Sequence, residues 1–293
     1  MELQWPLIVF TTLVAWAAGI FGAQGALAVA DNGAARKAQM PALILSVVVL
    51  AISGIAVFFH LEHWERIFNG FGHITSGITQ ELIAIVVFVV VAVVYFACLR
   101  KSGDGTVPKA MGIVAIVISV VLAVMCAHSY TMAARPAWDS PLEVLSIVGA
   151  ACLMGPATMG VLMAAPGDDV KPLGSVALVA GVVGAVCVIA FAAFLQFAGG
   201  SFASVGYYFD PTHPTKAMAD AAATVGSQTA LIWAGGALVG AIVPLVAAFM
   251  AKKQGTAAGW KLWGAVAVIA ALAGAILLRV AFYNLGMSVF MFY

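Results

Sequence analysis

Eight long apolar stretches, divided by short polar breaks, leave this chain little choice of fold. Each exceeds the ~18 apolar residues that mark a membrane-spanning helix. The predicted helices run over about 5–30, 40–60, 79–99, 108–132, 142–165, 172–198, 222–250 and 260–287. Hydrophobic residues make up 64% of the 293 and charged residues 9%, with a mean hydropathy of +1.10, which excludes a soluble globular domain. A membrane β-barrel would need short alternating segments, and the sequence has none. The expectation is an all-α polytopic protein, one membrane domain over 1–293, with its eight helices in two four-helix groups.

The breaks carry turn chemistry: Asp31-Asn32-Gly33, Ser102-Gly103-Asp104-Gly105 and Pro166-Gly167-Asp168-Asp169. Pro41, Pro108 and Pro172 stand near helix starts, where a missing N–H costs little. Pro156 and Pro244 fall inside helices and are candidate kinks. The first segment lacks the basic region of a cleaved signal peptide and reads as a retained helix. No internal sequence repeat stands out.

Orientation follows from Lys and Arg. Connections after the odd-numbered helices hold Arg36, Lys37, Arg100, Lys101, Lys109, Lys171, Lys252, Lys253 and Lys261; those after the even-numbered ones hold Arg66, Arg135 and Lys216. The positive-inside rule then places both termini outside. The outer connections, 61–78, 133–141 and 199–221, are the longer ones. Trp64, Phe68, Phe71 and Trp138 in the first two suit a membrane interface, and Tyr207-Tyr208-Phe209-Asp210-Pro211 marks the third. Their size favours partner docking on the outer face.

The few charges matter most, because ionisable groups in lipid are costly and usually functional. His60 ends helix 2, Glu81 begins helix 3, and His128 and Tyr130 close helix 4, all at the outer side. Arg279 lies roughly 28 Å along helix 8, near the same boundary, and Tyr283 follows at i+4 on the same helical face. Gln196 and Gln228 fall on this side also, whereas Gln24 is near the inner end of helix 1. Each polar group alone could snorkel to headgroups. Glu81 could also pair with Arg66 or Arg279. Together they suggest a shared polar pocket.

A quinol headgroup suits such a pocket: an apolar ring with two hydroxyls, whose oxidation releases two protons and two electrons. A histidine can accept a hydroxyl proton, a partly buried carboxylate can pass it to water, and an arginine can hold the developing quinone oxygen. His60, Glu81 and Arg279 fit these roles, with Arg66, Tyr283, His128 and Tyr130 as further candidates. Net charge is +1, which gives no reason to expect a nucleic-acid partner. Cys98, Cys126, Cys152 and Cys187 are dispersed with no C-x-x-C pair, so no iron–sulfur cluster or metal site of its own is expected. A b-type haem would need two facing histidines, and His60 with His128 is the available pair. Without a resident cofactor, electrons would leave to a docked partner. A transporter is a competing reading, and would want a polar path across the bilayer. A proton-pumping relative would want ionisable groups reaching the inner face.

Four stretches resemble one family in order. His60-Leu61-Glu62-His63-Trp64-Glu65-Arg66-Ile67-Phe68-Asn69, Gln80-Glu81-Leu82-Ile83-Ala84, the opening Glu2-Leu3-Gln4-Trp5-Pro6-Leu7 and Arg279-Val280-Ala281-Phe282-Tyr283-Asn284-Leu285-Gly286-Met287 are similar to segments of the membrane-anchor subunit of bacterial dimethyl sulfoxide reductases, the DmsC type of the wider NrfD-like group. The resemblance implies an anchor in the bacterial cytoplasmic membrane that oxidises menaquinol in anaerobic respiration. Its electrons would pass to a [4Fe–4S] subunit, which feeds a molybdenum bis-pterin catalytic subunit; the anchor itself would hold no haem. The family's quinol-site histidine and glutamate map onto His60 and Glu81, and two arginines onto Arg66 and Arg279. His128-Ser129-Tyr130 departs from the family's Arg-x-Tyr, and Glu62-His63-Trp64-Glu65 from its Gly/Ser/Pro-containing stretch.

Overall fold

The computed structural model describes residues 4–31, 33–61, 63, 66, 69, 71–201, 207–208 and 220–289. Eight helices in it are long and apolar enough to cross a membrane: α1 (Trp5–Ala30), α2 (Gln39–Phe58), α3 (Gly77–Ser102), α4 (Lys109–His128), α5 (Pro141–Ala164), α6 (Lys171–Ser201), α7 (Ala221–Gln254) and α8 (Ala257–Asn284). The sequence places every one of them, with ends displaced by at most four residues. Their ends follow from local chemistry. Ser140, Asp220 and Thr256 cap α5, α7 and α8, each side chain accepting from a backbone N–H of the first turn. Gly103 and Gly255 close α3 and α7 at φ +69° and +61°, a conformation glycine reaches without strain. In α7 the turns widen to π geometry over Leu231–Ile242, directly ahead of Pro244. Widening before a proline relieves the clash of its ring with the preceding turn.

Burial shows which helices form the centre. In α1 and α5, 67% and 72% of the most apolar window is buried, against 44% or less in the other six. Around α1 lie α2 and α4, with α3 on α4; around α5 lie α6 and α8, with α7 between those two. The molecule is therefore two four-helix groups joined along the α1–α5 seam, as the sequence reading expects.

Glycine makes these contacts possible. A Cβ on Gly155 would land on the Gly19 backbone at the seam. Gly25 and Gly112 approach equally closely between α1 and α4, Gly149 and Gly184 between α5 and α6, and Gly240 and Gly274 between α7 and α8. In lipid, where helices gain no hydrophobic energy by associating, such close backbone packing supplies much of the attraction.

The chain starts α1 and ends α8 on one face, termed here the termini face. On the opposite face the short loops interlock. Asp168 Oδ2 accepts from the Ala38 N–H at 3.0 Å, and Lys37 Nζ donates to the Pro166 carbonyl at 3.2 Å. On the termini face, Tyr207–Tyr208 pairs antiparallel with Ser288–Val289 through backbone bonds, a two-residue contact outside the sequence expectations. Residues 202–206 and 209–219 of the long connection, with Phe209, Asp210 and Pro211, lie outside the described residues, as do Trp64 and Phe68.

Candidate functional site at the termini face

Five helices deliver polar side chains to one depth near the termini face. The approach of α3 to α4 sets the first of them. A Cβ on Gly77 would lie 2.9 Å from Ser129 Cα, so only glycine lets the start of α3 settle against the turn after α4. One turn on, Glu81 points inward, 7% exposed. Its carboxyl faces the Cys126 thiol and the Ser129 hydroxyl, while Oε1 has no hydrogen-bond partner among the described residues. Ser129 Oγ also donates to the Cys126 carbonyl at 2.8 Å, which holds the turn closed.

The second part comes from α5 and α8. Arg279 is 4% exposed and Glu143 is fully buried. Arg279 Nη1 donates to Glu143 Oε1 at 2.7 Å, and Nη2 reaches Glu143 Oε2 at 3.4 Å and Ser146 Oγ at 3.3 Å. Arginine suits this position because its planar fork engages both carboxylate oxygens at once. The guanidinium also sits 4.8 Å above the Phe282 ring. Thr12 of α1 and Ser146 line a cavity of about 20 Å³ beside Arg279.

Aromatic side chains join the two parts. The Tyr130 and Tyr283 rings meet edge to face with centroids 6.0 Å apart, and Tyr283 Oη has no hydrogen-bond partner among the described residues. Trp138 stacks on Phe282 at 4.7 Å and donates from Nε1 to the Phe282 carbonyl at 2.8 Å. Arg135 lies 4.8 Å over the Trp138 ring and donates to the Gly286 carbonyl. Partial burial draws the Arg135 guanidinium below its ordinary pKa. The α4–α5 connection is thus tied to the end of α8, and a Cβ on Gly286 would press against the Trp138 ring at 2.5 Å. Trp138, expected at the membrane interface, is instead buried in the protein, because its indole N–H finds a backbone acceptor there.

Of the residues singled out in the sequence, Glu81, Tyr130, Arg279 and Tyr283 are buried together in this cluster. His60, Arg66 and His128 are exposed at the helix ends around it. His60 lies in the turn after α2, Arg66 in the following connection, and His128 at the last residue of α4, with Nδ1 3.1 Å from Thr131 Oγ1. Arg279, one of the two partners expected for Glu81, forms its ion pair with Glu143 instead, a residue that sequence reasoning missed. The signal was present: one acidic residue early in α5 and one basic residue late in α8, at matching depth in two apolar spans. Gln196 and Gln228 do lie on this side, accepting from Trp233 Nε1 at 3.2 Å and from Asn284 Nδ2 at 2.9 Å.

A separate polar group occupies the opposite face. Gln24 Nε2 donates to the Gln39 carbonyl at 3.0 Å, and Tyr95 Oη donates to Gln39 Oε1 at 2.9 Å. It links α1, α2 and α3 without a charged residue. Among the described residues, no group of three His, Cys, Asp or Glu is placed to hold a metal ion.

Chemically, the termini-face cluster offers a carboxylate oxygen and a phenol hydroxyl without partners among the described residues, next to aromatic walls and a fixed positive charge. That set can accept hydrogen bonds and a proton from a hydroxyl group. Compared with known protein families, residues 1–285 match the family described as DMSO reductase anchor subunit (DmsC). No individual curated protein matches the chain. A match over nearly the whole chain, on a fold of eight membrane-spanning helices, means that this protein belongs to the DMSO reductase anchor subunit (DmsC) family.

Proposed function

We propose that this subunit oxidises a quinol, menaquinol in the first instance, at the termini-face cluster. One observation carries the reading: Glu81 keeps a carboxylate oxygen without a partner among the described residues, inside a closely packed cluster. A buried polar atom without a partner is costly unless something completes it, and a quinol hydroxyl is a donor of the right kind. Glu81 takes the hydroxyl proton. His60 and His128, exposed at neighbouring helix ends, relay protons to water. Arg279, fixed by Glu143, supplies positive charge where the ring oxygen becomes a carbonyl. Arg66, Tyr130 and Tyr283 complete the headgroup contacts.

Each quinol yields one quinone, two protons and two electrons. The electrons pass to a [4Fe–4S] subunit docked on the termini face, and from it to a molybdenum bis-pterin catalytic subunit, in anaerobic respiration at the bacterial cytoplasmic membrane. This orientation puts the termini face outside, in keeping with the distribution of Lys and Arg. Protons and electrons then leave on the same side, so turnover by the complex in liposomes generates no membrane potential. A transporter or a proton pump would draw on the opposite face as well, and the Gln24–Gln39–Tyr95 group there is uncharged.

The test is purification of the tagged chain from its native membranes in mild detergent, with metal analysis. The expected result is co-purifying molybdenum with about sixteen irons, from four [4Fe–4S] clusters. In that complex His60→Ala should abolish quinol-linked reduction while leaving dye-linked reduction intact. A metal-free protein without partners, or unchanged quinol turnover in His60→Ala, would overturn the reading.

A further inference from the structure

A groove of about 200 Å³ runs between the two four-helix groups, lined from α1, α4, α5 and α6. Its walls are small: Gly22 and Ala23 on α1, Ala123 on α4, Ala151 on α5 and Ala180 on α6. Four helices meet here, yet no large side chain of their own fills the space. Its lining hydroxyl, Ser119 Oγ, already donates to the Ala115 carbonyl at 2.7 Å, so the walls ask for no hydrogen bond. Val120, at the edge on α4, is 46% exposed, which leaves the groove reachable from the lipid.

The groove lies below the candidate site along the same helices. Along α4 the lining residues Ile116, Ser119 and Ala123 form one stripe, and Cys126 is the next position on it, about 4.5 Å above Ala123. The Cys126 thiol faces Glu81. On α5 the upper lining residue, Val148, lies two positions beyond Ser146, the residue that contacts Arg279. The upper end of the groove is therefore about one helical turn below the polar cluster, and it extends along the helices for roughly 10 Å.

We propose that this groove holds the first part of an isoprenoid tail, belonging to a quinol whose headgroup sits at Glu81. The proposal rests on the quinol reading above and assigns the tail of that quinol a place in the fold. A hydrocarbon chain gains no hydrophobic energy by leaving lipid for an apolar groove. The preference for this tail over a phospholipid chain comes instead from tethering: once the headgroup docks, its own tail is present at high effective concentration one turn away. The packing of branched units against the alanine and glycine walls then adds dispersion contacts.

The experiment fills the groove in the intact complex and compares two substrates, a long-tailed polyprenyl quinol and the same headgroup without a tail. Cys152→Phe and Ala180→Leu each add volume to the lining and lie away from the polar cluster. Val179→Leu, on the 67% exposed neighbour that faces lipid, is the control. Both filling variants should raise KM for the long-tailed quinol about tenfold, while KM for the tailless quinol and dye-linked reduction stay as in the wild type. Equal effects on the two substrates would overturn the proposal, since they would report a general distortion. No effect on either would also overturn it, and would assign the groove to ordinary lipid. Failure of the quinol reading looks different: the unaltered complex would oxidise neither quinol.

Discussion

The two faces of this bundle bury polar groups in contrasting ways. On the termini face the groups are charged and only partly satisfied: Arg279 and Glu143 complete each other, but Glu81 Oε1 and Tyr283 Oη have no partners among the described residues. On the opposite face Gln24, Gln39 and Tyr95 are neutral and bonded to one another, with the amide oxygen Gln24 Oε1 left without a partner among the described residues. Both clusters bind helices together, which is what polar side chains do inside a membrane protein. The unpartnered oxygens of the termini face differ in kind: they belong to a carboxyl and a phenol, groups that exchange protons, beside a fixed positive charge. The contrast therefore separates a cluster that holds helices from one that also has capacity for a ligand.

Removing single partners should separate the two further. The largest effect is expected for Glu143→Ala, which leaves the Arg279 guanidinium buried and unpaired. Loss of one member of a buried pair costs about 3–5 kcal/mol, measurable as a lowered unfolding midpoint of the complex in detergent. The double variant Glu143→Leu with Arg279→Met should recover most of that stability without recovering quinol turnover. If the double variant were fully active, Arg279 would have no part in the chemistry. Tyr95→Phe on the opposite face should cost much less, about 0.6 kcal/mol, with quinol turnover unchanged. A loss of turnover there would extend the functional region across the membrane.

The smallest effect concerns the α3–α4 loop on the opposite face. Asp104 accepts from the Thr106 hydroxyl at 2.7 Å and from its N–H at 3.1 Å, and these bonds hold its carboxyl below the usual range. A depressed folded-state value means the loop contact is fully present above the unfolded carboxylate pKa and fades as pH falls through the lowered one. A pH titration of the Thr106 amide signal should show this local change at acid pH and none near neutrality. Asp104 is fully exposed, so global stability should follow it little.

Much of the architecture was legible in the sequence because membrane helices must be long, apolar and punctuated. The eight spans follow from that constraint, whereas the two-group arrangement is seen in the contacts between helices. The convergence of Glu81, Tyr130, Arg279 and Tyr283 was legible too, since alternating helices put their ends on one face. What escaped were pairings between helices. Glu143 is, in sequence, one acid near a helix start, and only the packing of α8 on α5 brings Arg279 beside it. Gln39 stood at the edge of a loop, yet it is the acceptor around which α1 and α3 meet. Nothing local marks Gly25, Gly112, Gly240 and Gly274 as points of close helix contact. The burial of Trp138 depends on a backbone carbonyl 144 residues away, which no local pattern shows.

The central claim is that Glu81 is the proton acceptor for quinol oxidation. Glu81→Gln keeps the shape and the neutral hydrogen bonding but removes the proton-accepting carboxylate. The measurement is quinol-linked against dye-linked turnover of the purified complex carrying this substitution. Quinol-linked turnover should fall about a hundredfold, with dye-linked turnover and metal content as in the wild type. Quinol-linked turnover within about twofold of the wild type would contradict the account, because no such step would then run through this carboxylate.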